Sequence, residues 1–385
     1  MNLFQGSIQS KLPSTGTSIF AVMTQLAREY KAVNLSQGFP DFPVSAELIG
    51  LVHKYMKNGY NQYALMPGVF ELRHVISKMF HENYGVDYNP ENEINITAGA
   101  TQGLYNAFSA FIKKGDEVII FEPAYDSYSP AIEANGGIVK YMDLDFPDFR
   151  INWDKVKETL TSKTRMIVIN SPHNPTGSIL YEDDLKQLEK ITSGTDIIVL
   201  SDEVYEHIIF EDLPHQSVCR FPELASRSLL IGSFGKTFHA TGWKTGFVLA
   251  PENLMKEFRK IHQFMVFAVN TPMQHAIAEY LDDSNHYKNL GGFFQQKRDF
   301  FVSALKSSRF TILPSYGTYF QLLGYSNISD EPEVEFATKL IKEYGIAGVP
   351  VSSFYHNNKD NKTIRFCFAK EESTLTKAAE ILCKI

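Results

Sequence analysis

Between about residue 95 and residue 250 the chain alternates short apolar runs with longer stretches that suit helices. DEVIIF (116–121), GIVKYM (137–142), TRMIVIN (164–170), DIIVLSD (196–202), SLLIGSF (228–234) and TGFVLA (245–250) predict strands. Several are apolar without alternation, as strands are when both faces of their sheet are covered. YEDDLKQLEKITS (181–193) is one of the helix-compatible segments between them. GATQGLYNAFSAFIKKGD (99–116) predicts another, because Leu104, Ala107, Phe108, Phe111 and Ile112 fall on one helical face. Lys113 and Lys114 near its end would complement the helix dipole, with Gly115 just beyond. This βαβ rhythm predicts an α/β domain built on a mostly parallel, doubly wound sheet.

The last third changes character. A long helical stretch beginning with QHAIAEYLDD leads to strands TYFQLLG (318–324) and KTIRFCFA (362–369), then to a terminal helix. The pattern predicts a second, smaller α/β domain. Along KTIRFCFA, Ile364, Phe366 and Phe368 face one way, and Arg365, Cys367 and Ala369 the other. An arginine among small and apolar groups needs an anion, since an unpaired buried charge is costly. A structural ion pair within the small domain and the carboxylate of a ligand both satisfy that need.

Composition narrows the class. The length of 385 residues suggests about two domains. Hydrophobic and charged contents of 44% and 21% are ordinary for a globular protein. The net charge of −7 (37 − 44) argues against nucleic acid or an anionic membrane as the main partner. No run of 18 apolar residues predicts a membrane span, and MNLFQGSIQSKLPSTG lacks the apolar core of a secretory leader. Three scattered cysteines (Cys219, Cys367, Cys383) fit a reducing compartment and form no CxxC metal motif, so a cytoplasmic protein without a metal site is expected.

Ligands of open α/β sheets bind outside the carboxyl ends of the strands. The polar groups cluster at those ends. Asn174 follows strand 164–170, in SPHNPTG. Asp202 ends the next strand, with Tyr205 three residues on. Ser233 and Lys236 follow strand 228–232, and Ala100, Thr101 and Gln102 open the helix at residue 99. Singly, each has a plain explanation: a helix cap, a turn, a solvated lysine, a helix start. Together they supply what pyridoxal phosphate requires. An amine can condense with its aldehyde, a carboxylate can pair with the pyridine nitrogen, and a helix N-terminus with hydroxyls and a cation can hold its phosphate.

The motifs resemble those of class I/II aminotransferases, members of the fold type I pyridoxal phosphate enzymes, nearly end to end. They are PHNPTG (172–177), SDEVY (201–205), Ser233-Phe-Gly-Lys236 and Gly242-Trp-Lys244-Thr-Gly246, in that order. Lys244 stands where many members carry arginine; it keeps a cation for the phosphate and loses the bidentate fork. The resemblance implies that Lys236 carries the cofactor and shuttles the proton, that Asp202 pairs with the pyridine nitrogen, and that Tyr205 and Asn174 bond the ring hydroxyl. It implies phosphate contacts from Ala100, Thr101, Ser233 and Lys244, with Gln102 nearby, and a stacking ring from Tyr125 in EPAYDSY. Tyr63 in NQYALMPG matches a tyrosine that reaches the partner subunit's phosphate, so an obligate homodimer with shared sites is implied. Arg365, with Asn174 and the backbone of Gly38, would bind the substrate carboxylate.

NLSQGFPDF (34–42), YDSYSPAIEANGG (125–137) and RFCFAKEEST (365–374) resemble the methionine and kynurenine–glutamine group. Ile19, Phe20, Phe39, Tyr63 and Phe267 are candidates for an apolar side-chain pocket. No second arginine is evident for a distal carboxylate. The expected activity is transfer of the amino group of methionine, glutamine or aromatic amino acids, kynurenine included, to a 2-oxo acid. A carbon–sulfur β-lyase acting on cysteine conjugates or cystathionine would share Lys236, Asp202 and Arg365 and is the alternative. A regulatory, non-catalytic module would leave this polar set unused. The expected organisation is an N-terminal arm (1–13), a large cofactor-binding domain (45–270) and a small domain (14–44 with 271–385).

Overall fold

The computed structural model describes residues 3–385; the first two residues of the expected arm lie outside the described residues. Among the described residues, thirteen strands form three sheets. The first strand, β1 (Val33–Asn34), pairs in parallel with β11 (Ile346–Ala347). The large sheet contains β2 (Ile94–Thr97), β3 (Glu117–Glu122), β4 (Ile138–Asp143), β5 (Thr164–Asn170), β6 (Ile198–Asp202), β7 (Ser228–Ser233) and β8 (Gly246–Leu249). Its order is β2-β8-β7-β6-β5-β3-β4. All neighbours are parallel except those of β8, which runs against both β2 and β7. The third sheet, antiparallel, has the order β12 (Val349–Pro350), β13 (Thr363–Cys367), β10 (Phe320–Gly324), β9 (Thr311–Ile312).

The expected strands are present with ends shifted by a residue or two, and the architecture is the predicted mixed, mostly parallel sheet with helices. The strand β2, INIT, was not anticipated; four residues are too few for periodicity to register. The pleat divides the large sheet between two cores. Ile119, Ile167, Ile169, Val199 and Leu230 feed one; Val118, Ile120, Met166, Val168, Leu200 and Ile231 feed the other, together with Leu104, Ala107 and Phe108 of the helix Ala100–Phe111. Continuous apolar strands follow from burial on both faces.

That helix corrects the sequence reading. It ends at Phe111 rather than running to Asp116, because Ile112 is extended (φ −95°, ψ 129°). Lys113 and Lys114 belong to the following turn, not to the helix end. The Asp116 carboxylate accepts from the Lys113 amide at 2.8 Å and closes this turn, in which Gly115 has φ +90°. The helical stretch after residue 270 is also broken, into Thr271–Leu281, Asn285–Lys288 and Leu290–Ala304. The terminal helix Glu372–Leu382 is as expected.

Candidate active site

Register brings the polar groups together. Asn170 pairs with Asp202 across β5 and β6, and Asp202 with Ile231 across β6 and β7. Asn170, Asp202 and Ser233 share the parity of Met166, Leu200 and Ile231, so all three face the side covered by the helix Ala100–Phe111. They border a cavity of about 160 Å³ with Thr101, Tyr125, Asn174, Tyr205, Lys236 and Lys244. Nine of the candidates named from sequence, Ala100 included, thus converge although they are far apart along the chain.

Lys236 sits on a short helix, Phe234–Thr237, that begins where β7 ends. Its Nζ donates to the Tyr319 hydroxyl at 3.0 Å. Burial pulls the amine down to about 8; Arg365 and Lys244 push the same way, while Cys367 and Asp202 oppose. Asp202 is 4% exposed. Its Oδ2 accepts from the Tyr128 hydroxyl at 2.6 Å. Burial raises its carboxyl to about 6, and the Tyr128 bond holds it back from going higher.

Behind the cavity a polar chain links the two domains expected from sequence. The Asn170 side chain donates to the Asp202 carbonyl at 2.8 Å and accepts from the Asn174 amide at 2.9 Å. Asn174 Oδ1 then accepts from Arg365 Nη1 at 2.6 Å. Arg365 also donates to the Ser36 carbonyl at 3.2 Å. Its guanidinium lies 3.9 Å from the centre of the Phe320 ring, with Phe20 and Phe354 at 5.1 and 5.2 Å. It is 1% exposed, and among the described residues it forms no ion pair. Its Nε has no partner. The structural ion pair admitted by the sequence is absent from this side chain.

At the other end the cavity meets the N-terminus of the helix Ala100–Phe111, whose first amides have no partner within the helix. Lys244, in the left-handed region (φ 54°), sends its amine over Gly99: a Cβ at Gly99 would lie 3.4 Å from Nζ. A Cβ on Gly246 would lie 3.0 Å from the Ala100 amide nitrogen. The two glycines leave this cradle open. Hydroxyls of Thr101 and Ser233, a cation and free amides suit a phosphate. A buried carboxylate at the far wall, with an amine and a tyrosine ring between, suits a pyridinium that bears an aldehyde. The donor set fits pyridoxal phosphate.

Two expected cofactor contacts stand outside the cavity. The Gln102 side chain turns back to cap Ala98 N at 3.0 Å and lies 3.3 Å from His262 Nδ1. Tyr63 is 84% exposed and packs edge-on against Phe267 with ring centres 5.5 Å apart. Gly38 presents its carbonyl to the Tyr319 hydroxyl at 2.7 Å. Sequence reasoning missed Asn170, Tyr128 and Tyr319. Asn170 was detectable as the polar end of an apolar strand. Tyr128 stands three residues after Tyr125, and Tyr319 lies in a strand read only for its apolar character.

A crevice at the carboxyl ends of a mostly parallel sheet, with this amine, carboxylate and phosphate cradle, defines a pyridoxal phosphate enzyme, and the chain belongs to the family Aminotransferase class I and II, whose sequence model matches residues 30–382. Members of that family depend on pyridoxal phosphate, and the chain is an amino acid aminotransferase. It is 47% identical over 375 residues to the methionine aminotransferase of Escherichia coli (strain K12), covering 97% of each chain. It is 32% identical to the kynurenine–oxoglutarate transaminase of Dictyostelium discoideum, over 97% of this chain and 95% of that one. The crystal structure of YbdL from Escherichia coli, for which a methionine aminotransferase function is reported, superposes with a TM-score of 0.97 at 46% identity, covering 98% of this chain and all of that one.

Proposed function

We propose that this aminotransferase moves the amino group of methionine, glutamine or aromatic amino acids, kynurenine included, to a 2-oxo acid. The observation that carries the reading is Arg365: a buried guanidinium without an ion pair, walled by Phe20, Phe320 and Phe354, suits an α-carboxylate attached to an apolar or aromatic side chain. Two of the relatives above, named for methionine and kynurenine, support it. No observation favours the lyase alternative.

Pyridoxal phosphate, when bound, supplies an aldehyde for the amino group and a ring that accepts electrons. In the proposed assignment Lys236, whose amine burial pulls down to about 8, would serve as the base that takes the proton from the substrate Cα and as the acid that gives it back. Asp202 would hold the pyridine nitrogen in its protonated form. Asn174 and Tyr205 would bond the ring hydroxyl, and Tyr125 would supply the stacking ring. Ala100, Thr101, Ser233 and Lys244 would hold the phosphate. Arg365, Asn174 and the Gly38 backbone orient the carboxylate so that the Cα proton meets the amine.

The same reading includes a homodimer in which Tyr63 completes the partner's site. Its support is the exposure of Tyr63 together with Leu65 and Phe264, the last 86% exposed. The domain division at residues 13, 44 and 270 is likewise proposed. It accords with a large sheet drawn entirely from residues 94–249 and an antiparallel sheet drawn from residues 311–367. A cytoplasmic location rests on three unpaired cysteines, and no helix among the described residues is long and apolar enough to cross a membrane. An amino-donor panel against several oxo acids tests the substrate reading. Methionine, glutamine and aromatic donors should lead and aspartate should be poor; aspartate as the best donor would overturn it.

A further inference from the structure

We infer that Tyr319 is a positioning residue for the transamination, its hydroxyl joining the Lys236 amine to the substrate-facing segment Ser36–Phe39. The inference rests on the assignment of Lys236 as the reacting amine.

A phenol has one hydrogen. Tyr319 gives it to the Gly38 carbonyl at 2.7 Å, so toward Lys236, at 3.0 Å, it can only accept. Burial keeps the phenol from ionising, its pKa lying well above the usual range. The amine is therefore the donor, and its aim depends on where Gly38 lies. Gly38 itself is fixed by neighbours on both sides. The Ser36 carbonyl accepts from Arg365 Nη2 at 3.2 Å, and the Phe39 carbonyl from Lys370 Nζ at 2.8 Å. The Leu35 carbonyl accepts from the Cys367 amide at 2.8 Å. Tyr319 directly precedes β10, whose Phe320 pairs with Cys367 of β13. One strand pair thus holds the carboxylate-binding arginine, the Gly38 segment and the hydroxyl that aims the amine. A substrate that orders the Ser36–Phe39 segment also orders Lys236.

A bond donated by the amine favours its charged form and opposes the effect of burial. Losing the hydroxyl should make the amine easier to deprotonate and leave it free to turn away from the substrate Cα. The ring also packs on Tyr205 at 5.1 Å and Phe294 at 5.7 Å, contacts that phenylalanine retains.

The test is Tyr319→Phe, read in two ways. In the cofactor-free protein, the rate of reductive methylation of Lys236 by formaldehyde and cyanoborohydride is followed against pH by peptide mass spectrometry. In the holoenzyme, kcat and KM for methionine are measured. The inference expects the methylation midpoint to move to lower pH, with kcat falling on the order of tenfold and KM changing much less. A midpoint or a kcat that does not move overturns it, as does a lowered melting temperature with the midpoint unchanged, which is the mark of packing alone. If Lys236→Ala keeps normal turnover, the amine is not the reacting group and both readings fall. If only the Tyr319→Phe values stay put, this inference falls alone.

Discussion

The Tyr128 hydroxyl donates to Oδ2 of Asp202 across 2.6 Å, and both groups are buried. The bond stabilises the carboxylate, against burial that favours the acid. With burial raising the carboxyl to about 6, affinity for pyridoxal phosphate should weaken as pH falls through that value. Tyr128→Phe removes the bond, raises the carboxyl further and moves the midpoint toward neutrality. Fluorescence titration with the cofactor from pH 5 to 8 measures it; an unmoved midpoint rejects the role of Tyr128.

Lys236 trades stability for chemistry. Its folded pKa, about 8, lies below the ~10.4 of an unfolded lysine. The cost of burying the ammonium is therefore full below pH 8 and fades between the two values, where the unfolded chain binds more protons and stability rises with pH. Lys236 is only partly buried and borders a cavity of about 160 Å³, which tempers the penalty. Cofactor-free Lys236→Met should melt above wild type at pH 7, with the gap closing toward pH 10, while losing turnover by at least about 10²–10⁴-fold. Differential scanning calorimetry across pH and a rate assay decide it.

Arg365→Ala removes the charge that the proposed carboxylate would meet. Truncating one partner of a buried charge pair costs on the order of 2–5 kcal/mol, so KM for the amino acid should rise by about 30-fold or more. Arg365→Lys should recover only part, because lysine lacks the fork. Steady-state kinetics that leave KM unchanged would remove Arg365 from the substrate site.

If Tyr63 serves the partner's site, two defective chains can repair each other. Tyr63→Ala and Lys236→Ala homodimers should each be poor enzymes. A mixed dimer holds one site with an intact Lys236 from one chain and an intact Tyr63 from the other. Unfolding and refolding the two variants together should restore activity that neither has alone. No recovery, with mixed dimers demonstrated by mass, would confine Tyr63 to its own chain.

Legibility followed distance along the chain. The strands of the large sheet were readable because each is an unbroken apolar run, and burial on both faces demands that pattern locally. Asp202, Ser233 and Asn174 were readable because the carboxyl ends of such strands face a common crevice whatever the details. The helix end at Phe111 was not, since the Ile112 extension and the Asp116–Lys113 turn override a favourable helical pattern that continues through Lys113 and Lys114. Gln102 was assigned to the cofactor by its neighbours in sequence, and one helical turn carries its side chain to His262 instead.

The amino-acid sequence alone determined the layering, the order of the chemical groups along the strands and the choice of Lys236 as the candidate amine, because apolar period and motif spacing are local properties. Only the tertiary structure decided that the Tyr128 hydroxyl bonds Asp202, that the Tyr319 hydroxyl bonds Lys236, and that Arg365 bonds Asn174 and forms no ion pair among the described residues. Those relationships join residues 74, 83 and 191 positions apart, the last being the Arg365–Asn174 bond. Hydrogen bonds at such separations depend on register and packing between sheets, and no local pattern encodes where two distant strands will bring their side chains.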